Sequence, residues 1–87
     1  MINLDSMNVE ELQEFVAKTE DKEQFALQIF PEKPPAFVKS LLLLKKYAQE
    51  RIEVLERTRK GRLEQAAKSK KRCDDIFRVL PDYAKWA

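Results

Sequence analysis

A chain of 87 residues with 44% hydrophobic and 37% charged side chains is long enough for one small folded domain and too apolar for a disordered one. It has no histidine, one cysteine and one glycine. These counts exclude the commonest general base, an internal disulfide, a cysteine cluster for zinc and a glycine-rich phosphate loop. A β-rich fold would need more glycine for its tight turns, so the composition predicts an all-α protein without a catalytic, cofactor or metal site. A domain of this size buries only about 60–65% of the surface its unfolded chain exposes. Its core is thin, and homo-oligomerisation is an expected way to enlarge it.

The net charge of +2 is unevenly placed. Residues 1–32 hold eight acids and two bases (−6), and residues 33–87 hold fifteen bases and seven acids (+8). That asymmetry predicts a protein partner, self-association or an internal electrostatic match. The chain opens on acidic rather than basic-then-apolar sequence, so no signal peptide is expected. Its most apolar stretch, 36–48, contains three lysines and is too short to span a bilayer. With the lone Cys73, these features lead to the expectation of a soluble cytoplasmic protein with no membrane contact.

Asn8 can cap a helix whose Glu11 returns a bond to its backbone, with Met7 and Leu12 at the staple positions. Val9, Leu12, Phe15 and Val16 form its apolar face, and the helix is predicted over about 9–18. Asp21 with Gln24 repeats the capping pattern and predicts a second helix over about 22–30, carrying Phe25, Ala26, Ile29 and Phe30. Continuation of the first helix without a break is the alternative. Pro31, Pro34 and Pro35 impose an extended connection, with Pro35 suited to the first turn of the next helix.

That helix is predicted over about 35–60, with Phe37, Leu41, Leu44, Ala48, Ile52 and Leu55 on one stripe. Leu41 to Leu44 are apolar all round, which predicts packing on two sides. Gly61 can end the helix in the left-handed conformation. A further helix over about 63–80 would turn Leu63, Ala66, Ala67, Cys73, Ile76, Phe77 and Leu80 inward, until Pro81 stops it. The expected architecture is an antiparallel helical hairpin with a short helical N-terminal layer. The alternative is one helix over 36–80 that pairs with another chain, because glycine within a helix costs only about 1 kcal/mol.

The strongest unusual feature lies between Arg57 and Arg72. Eight bases (Arg57, Arg59, Lys60, Arg62, Lys68, Lys70, Lys71 and Arg72) stand against Glu64 alone. A hairpin gathers many of them near one end, where they can meet a protein partner, nucleic-acid phosphates, or only the helix dipoles. No aromatic residue is interleaved, so base stacking is not expected. Phe25, Ile29, Phe30, Phe37 and the leucine run read as core, with a partner groove as the alternative. Trp86 either folds back over the open end of the hairpin or, with Tyr83, anchors a partner. Asp74 and Asp75 are adjacent on a helix, point apart and read as solvated surface, and Cys73 reads as a small buried residue.

Phe30-Pro31, Pro34, Phe37-Val38, Leu44, Tyr47-Ala48 and Gly61 lead to Cys73-Asp74-Asp75-Ile76-Phe77 and Leu80-Pro81-Asp82-Tyr83-Ala84-Lys85-Trp86. This pattern resembles a family of small uncharacterised bacteriophage and prophage proteins. They share an F-P-x-x-P-x-x-[FY]-V segment, a tyrosine-alanine step, a glycine turn and a C-D-x-I-[FY]-x-x-L-P-x-[FY]-A-[KR]-W ending. The resemblance spans roughly residues 29–87, and Arg62-Leu63 replace the polar residues usual after the glycine. It implies a short helical protein of phage origin, in the cytoplasm of an infected or lysogenic bacterial host, and no catalytic role for any residue. The functional expectation is a non-enzymatic accessory protein that binds another protein and modulates or inhibits a host factor. The alternatives are a nucleic-acid-binding protein using the bases of 57–72 and a small structural virion component.

Overall fold

Asn8 starts the first helix as its capping box requires. Its Oδ1 accepts the Glu11 N–H at 2.8 Å, and the Glu11 carboxylate accepts the Asn8 N–H at 3.2 Å. Leu12 is fully buried and Met7 packs against the same core, so the hydrophobic staple is made as well. In the computed structural model, which describes residues 3–86, three α-helices follow one another: α1 (Val9–Ile29), α2 (Ala36–Arg59) and α3 (Leu63–Val79). Short 3-10 turns at Leu4–Ser6 and Asp82–Ala84 flank them.

The helix expected to stop near residue 18 runs on to Ile29, and the second capping pattern at Asp21 and Gln24 is not used. No proline or glycine interrupts this stretch. Thr19 is buried and donates its hydroxyl to the Phe15 carbonyl at 2.7 Å, inside the helix rather than at an end. The proline segment then breaks the chain. Pro35 stands at the cap position of α2 rather than within its first turn, with ψ at 156°.

The hairpin forms, and the single long helix over 36–80 does not. Gly61 takes φ of +77°, and the Arg62 N–H bonds back to the Arg57 carbonyl at 2.8 Å. That is the six-to-one bond of a Schellman-type ending. Helix α2 packs against α1 on one side and α3 on another, which explains the all-round apolar run at Leu41 to Leu44. Lys45 and Glu23 join α1 to α2 through a 2.7 Å ion pair whose side chains are both largely buried. Arg57 joins α2 to α3, donating to Ser69 Oγ at 2.7 Å and to the Gln65 carbonyl at 3.3 Å while pairing with Glu53.

The core runs along this stack as Leu4, Leu12, Leu44, Tyr47, Ala48, Val54, Cys73, Leu80, Ala84 and Trp86. Trp86 is a core residue, only 8% exposed, set edge-on to both Tyr47 and Phe77 at centroid distances of 4.9 and 4.7 Å. Its indole N–H donates to Asp5 Oδ2 at 3.1 Å, and Tyr47 donates its hydroxyl to Asp5 Oδ1 at 2.6 Å.

Several residues expected inside are outside. Phe25, Ile29, Phe30 and Phe37 are 45–65% exposed, and Leu63 and Ala67 are exposed on α3. The reason is positional. Ile29, Phe30 and Phe37 lie where α1 ends and α2 begins, and Leu63 is the first residue of α3; Phe25 stands one turn inside α1, where the neighbouring Ala26 takes the buried place. Ala67 sits one step off the inward stripe, where the buried Ser69 takes a place instead.

Replacing Asp5 with alanine leaves two donors in or beside the core unpaired. Such losses cost about 1–3 kcal/mol each when buried, and the half-exposed Asp5 side chain puts the total near 2 kcal/mol. A fall of that size is expected in urea unfolding, against a smaller one for Asp5→Asn. Nothing lies within 4 Å of a Cβ added at Gly61, so Gly61→Ala meets only backbone strain. It is expected to cost about 1–2 kcal/mol by the same measurement, with Gly61→Asn closer to the parent chain.

Candidate functional site

The turn between α2 and α3 gathers the sequence-predicted bases only in part. Arg59, Lys60 and Arg62 surround Gly61 at the tip, all exposed. Lys68 and Lys71 lie further along α3, exposed on its side away from the buried Ala66, Ser69 and Cys73. None of these five makes an ion pair among the described residues, and neither does the exposed Lys70. Arg57 and Arg72 differ. Arg57 is committed to Glu53, Gln65 and Ser69, and Arg72 reaches Glu50 on α2 at 3.6 Å. Arg57 is thereby tied across the hairpin, whereas Arg72 stays exposed beside its ion pair.

The surface around the free bases is not uniformly positive. Glu53, Glu56, Arg57, Lys60 and Arg62 line a polar depression of about 210 Å³. On the other side of the tip, Gly61, Arg62, Leu63, Glu64 and Gln65 line a second of about 260 Å³. Leu63 is 66% exposed within it. The site therefore pairs a large apolar side chain with positive charge on a tight turn. The sequence pattern places Leu63 three residues before Ala66, on the inward stripe. Its exposure follows from α2 having already ended at Arg59, which the spacing within α3 does not reveal.

Tyr83 and Trp86, paired in the sequence as possible anchors, part company. Trp86 is buried, whereas Tyr83 is 66% exposed with its hydroxyl 2.7 Å from Ser40 Oγ. Beside Trp86, an open cavity of about 320 Å³ is lined by Asn3, Asp5, Tyr47, Asp74, Phe77 and Trp86. Of its carboxylates, the half-exposed Asp5 is already occupied by Tyr47, Trp86 and, at 3.9 Å, Arg51 Nε. Burial and the hydrogen bond to Asp5 raise the Tyr47 phenol well above its ordinary value. Burial, then the Glu50 charge, pushes the Cys73 thiol up to about 12. A thiol so held is neutral at pH 7 and is a poor nucleophile. Among the described residues no group of three or more His, Cys, Asp or Glu could hold a metal ion, and no helix is long and apolar enough to cross a membrane.

No protein-family model matches this chain, and no curated protein or solved structure matches it.

The raised thiol makes alkali destabilising. The unfolded thiol ionises near pH 9 and the folded one near 12, so the folded state binds the extra proton between them. Stability is complete below pH 9 and should fall by up to about 1.4 kcal/mol per pH unit from there to pH 12. Tyr47 adds a loss of the same sign above its ordinary pKa of 10.0. Urea melts between pH 8 and pH 11 should show this slope in the parent chain and a shallower one in Cys73→Ala.

Proposed function

We propose that this chain is a non-enzymatic, bacteriophage-type accessory protein that docks on another protein through its basic turn, in the cytoplasm of an infected or lysogenic bacterium, and modulates or inhibits a host factor. The observation that carries this reading is Leu63, exposed at the tip among the unpaired Arg59, Lys60 and Arg62. An apolar anchor ringed by charge is the make-up of a protein interface, in which the buried centre supplies affinity and the charged rim supplies steering and selectivity. The partner face that fits is acidic with an apolar recess. The missing histidine and the neutral, buried Cys73 support a binding role over a chemical one.

The six unpaired bases of the 57–72 run favour nucleic acid as a second reading. Glu53, Glu56 and Glu64 around the same turn weaken the field that phosphates would meet, and no aromatic side chain lies among the bases.

Charge reversal at Arg59, Lys60 and Arg62, and separately Leu63→Ser, should leave helicity unchanged. Each should lower retention of a host-lysate protein by about tenfold or more. Normal retention by both folded variants would remove the turn from the interface. Anisotropy with random duplex DNA and RNA should show no binding at physiological salt. Binding that persists there, with a salt slope of several phosphates, would establish the second reading instead.

A further inference from the structure

The end of the molecule opposite the basic turn carries a different surface. There α1 finishes, α2 begins and α3 finishes, and Phe25, Ile29, Phe30, Phe37, Val79 and Tyr83 are each 45–66% exposed. An aromatic side chain presents about 150–250 Å² when fully accessible, so this end offers on the order of 600 Å² of apolar surface. That is the upper limit of the largest patch on a typical monomer.

We infer that this apolar end is a self-association face and that its occupant is a second copy of the chain, packed about a two-fold axis. Area supports this choice. Two such faces brought together remove about 1,200 Å² from water, the lower edge of the range for specific interfaces. Charge supports it too. A two-fold contact sets each rim side chain against the same set on its partner. This rim carries both signs, Glu32 and Asp82 beside Lys33 and Lys39, so opposite charges can meet. The basic turn would repel its own copy and therefore stays outward. The dimer has one apolar centre and two basic tips directed away from it, doubling the docking sites on one particle.

Sedimentation velocity of the full chain tests this, from about 1 to 100 μM, which reaches the weak association expected at the low end of specific interfaces. The expected result is a concentration-dependent species of twice the 10.3 kDa chain mass. Phe37→Asp and, independently, Phe25→Asp should sediment as monomers with the parent's circular dichroism. Reversal of Arg59, Lys60 and Arg62 should leave the dimer intact, so loss of partner docking and loss of self-association are separately visible. A parent chain that stays monomeric throughout the range overturns the inference and leaves the apolar end to a different protein. A dimer that survives in both folded aspartate variants overturns it as well, because another face would then be holding the two copies.

Discussion

Asp5 accepts one hydrogen bond from Tyr47, 42 residues away in α2, and another from Trp86, 81 residues away beside the C-terminus. One carboxylate thus fastens both ends of the chain to the central helix. The arrangement of the core follows from it. With the indole N–H satisfied, Trp86 can be buried against Tyr47 and Phe77 without leaving a stranded donor. The returning tail then covers the side of the α2–α3 hairpin that α1 leaves open, and Leu80 and Ala84 join the core on the way. In a chain this small, where each buried aromatic is a sizeable part of the core, a tail tied down in this way substitutes for a fourth helix.

Helix α2 lies between the others and receives the polar ties as well as the apolar ones. Glu23 meets Lys45 on one side; on the other, Arg72 meets Glu50 and Ser69 meets Arg57. Antiparallel connection then gives the molecule two unlike ends. The α2–α3 turn, one glycine long at its tightest point, collects the bases that flank it. The far end collects the last residues of α1 and α3 and the first of α2, all adjacent to prolines and all short of cover. Principal extents of 43 × 23 × 23 Å keep these ends well apart, farther than a Debye length at physiological salt. Events at one are electrostatically independent of the other, as the proposed dimer with outward docking tips requires.

Where the sequence was legible, the signal was local. The Asn8–Glu11 box, the proline-bounded start of α2, the left-handed Gly61 and the arrest before Pro81 each rest on a few neighbouring residues, and each is formed. The Asp21–Gln24 pattern is equally local and was misleading, because a capping box is used only where the helix must start. The buried Thr19, bonded within the helix to the Phe15 carbonyl, stands where a start would have to be, and the helix runs on. The candidate site was half legible. The bases at Arg59, Lys60 and Arg62 are plain in the sequence, but Arg57 and Arg72 belong to the same run and were diverted to Ser69 and Glu50 by pairings that join different helices.

By itself the sequence determined an all-helical chain, the stretches able to form helices, the candidate turn at Gly61 and the concentration of positive charge beside it. These depend on periodicity, caps and backbone sterics, which act within a turn or two of helix. It did not determine that residues 9–29 form one helix or that 36–80 fold into a hairpin rather than one long helix. The tertiary structure alone decided which apolar residues are core. Leu12, Val38 and Leu44 are covered, while Phe25, Phe37 and Leu63, no less apolar, are not. Hydrophobicity states what a side chain gains by burial, but burial needs a second surface, and whether one stands opposite is set by where neighbouring helices end.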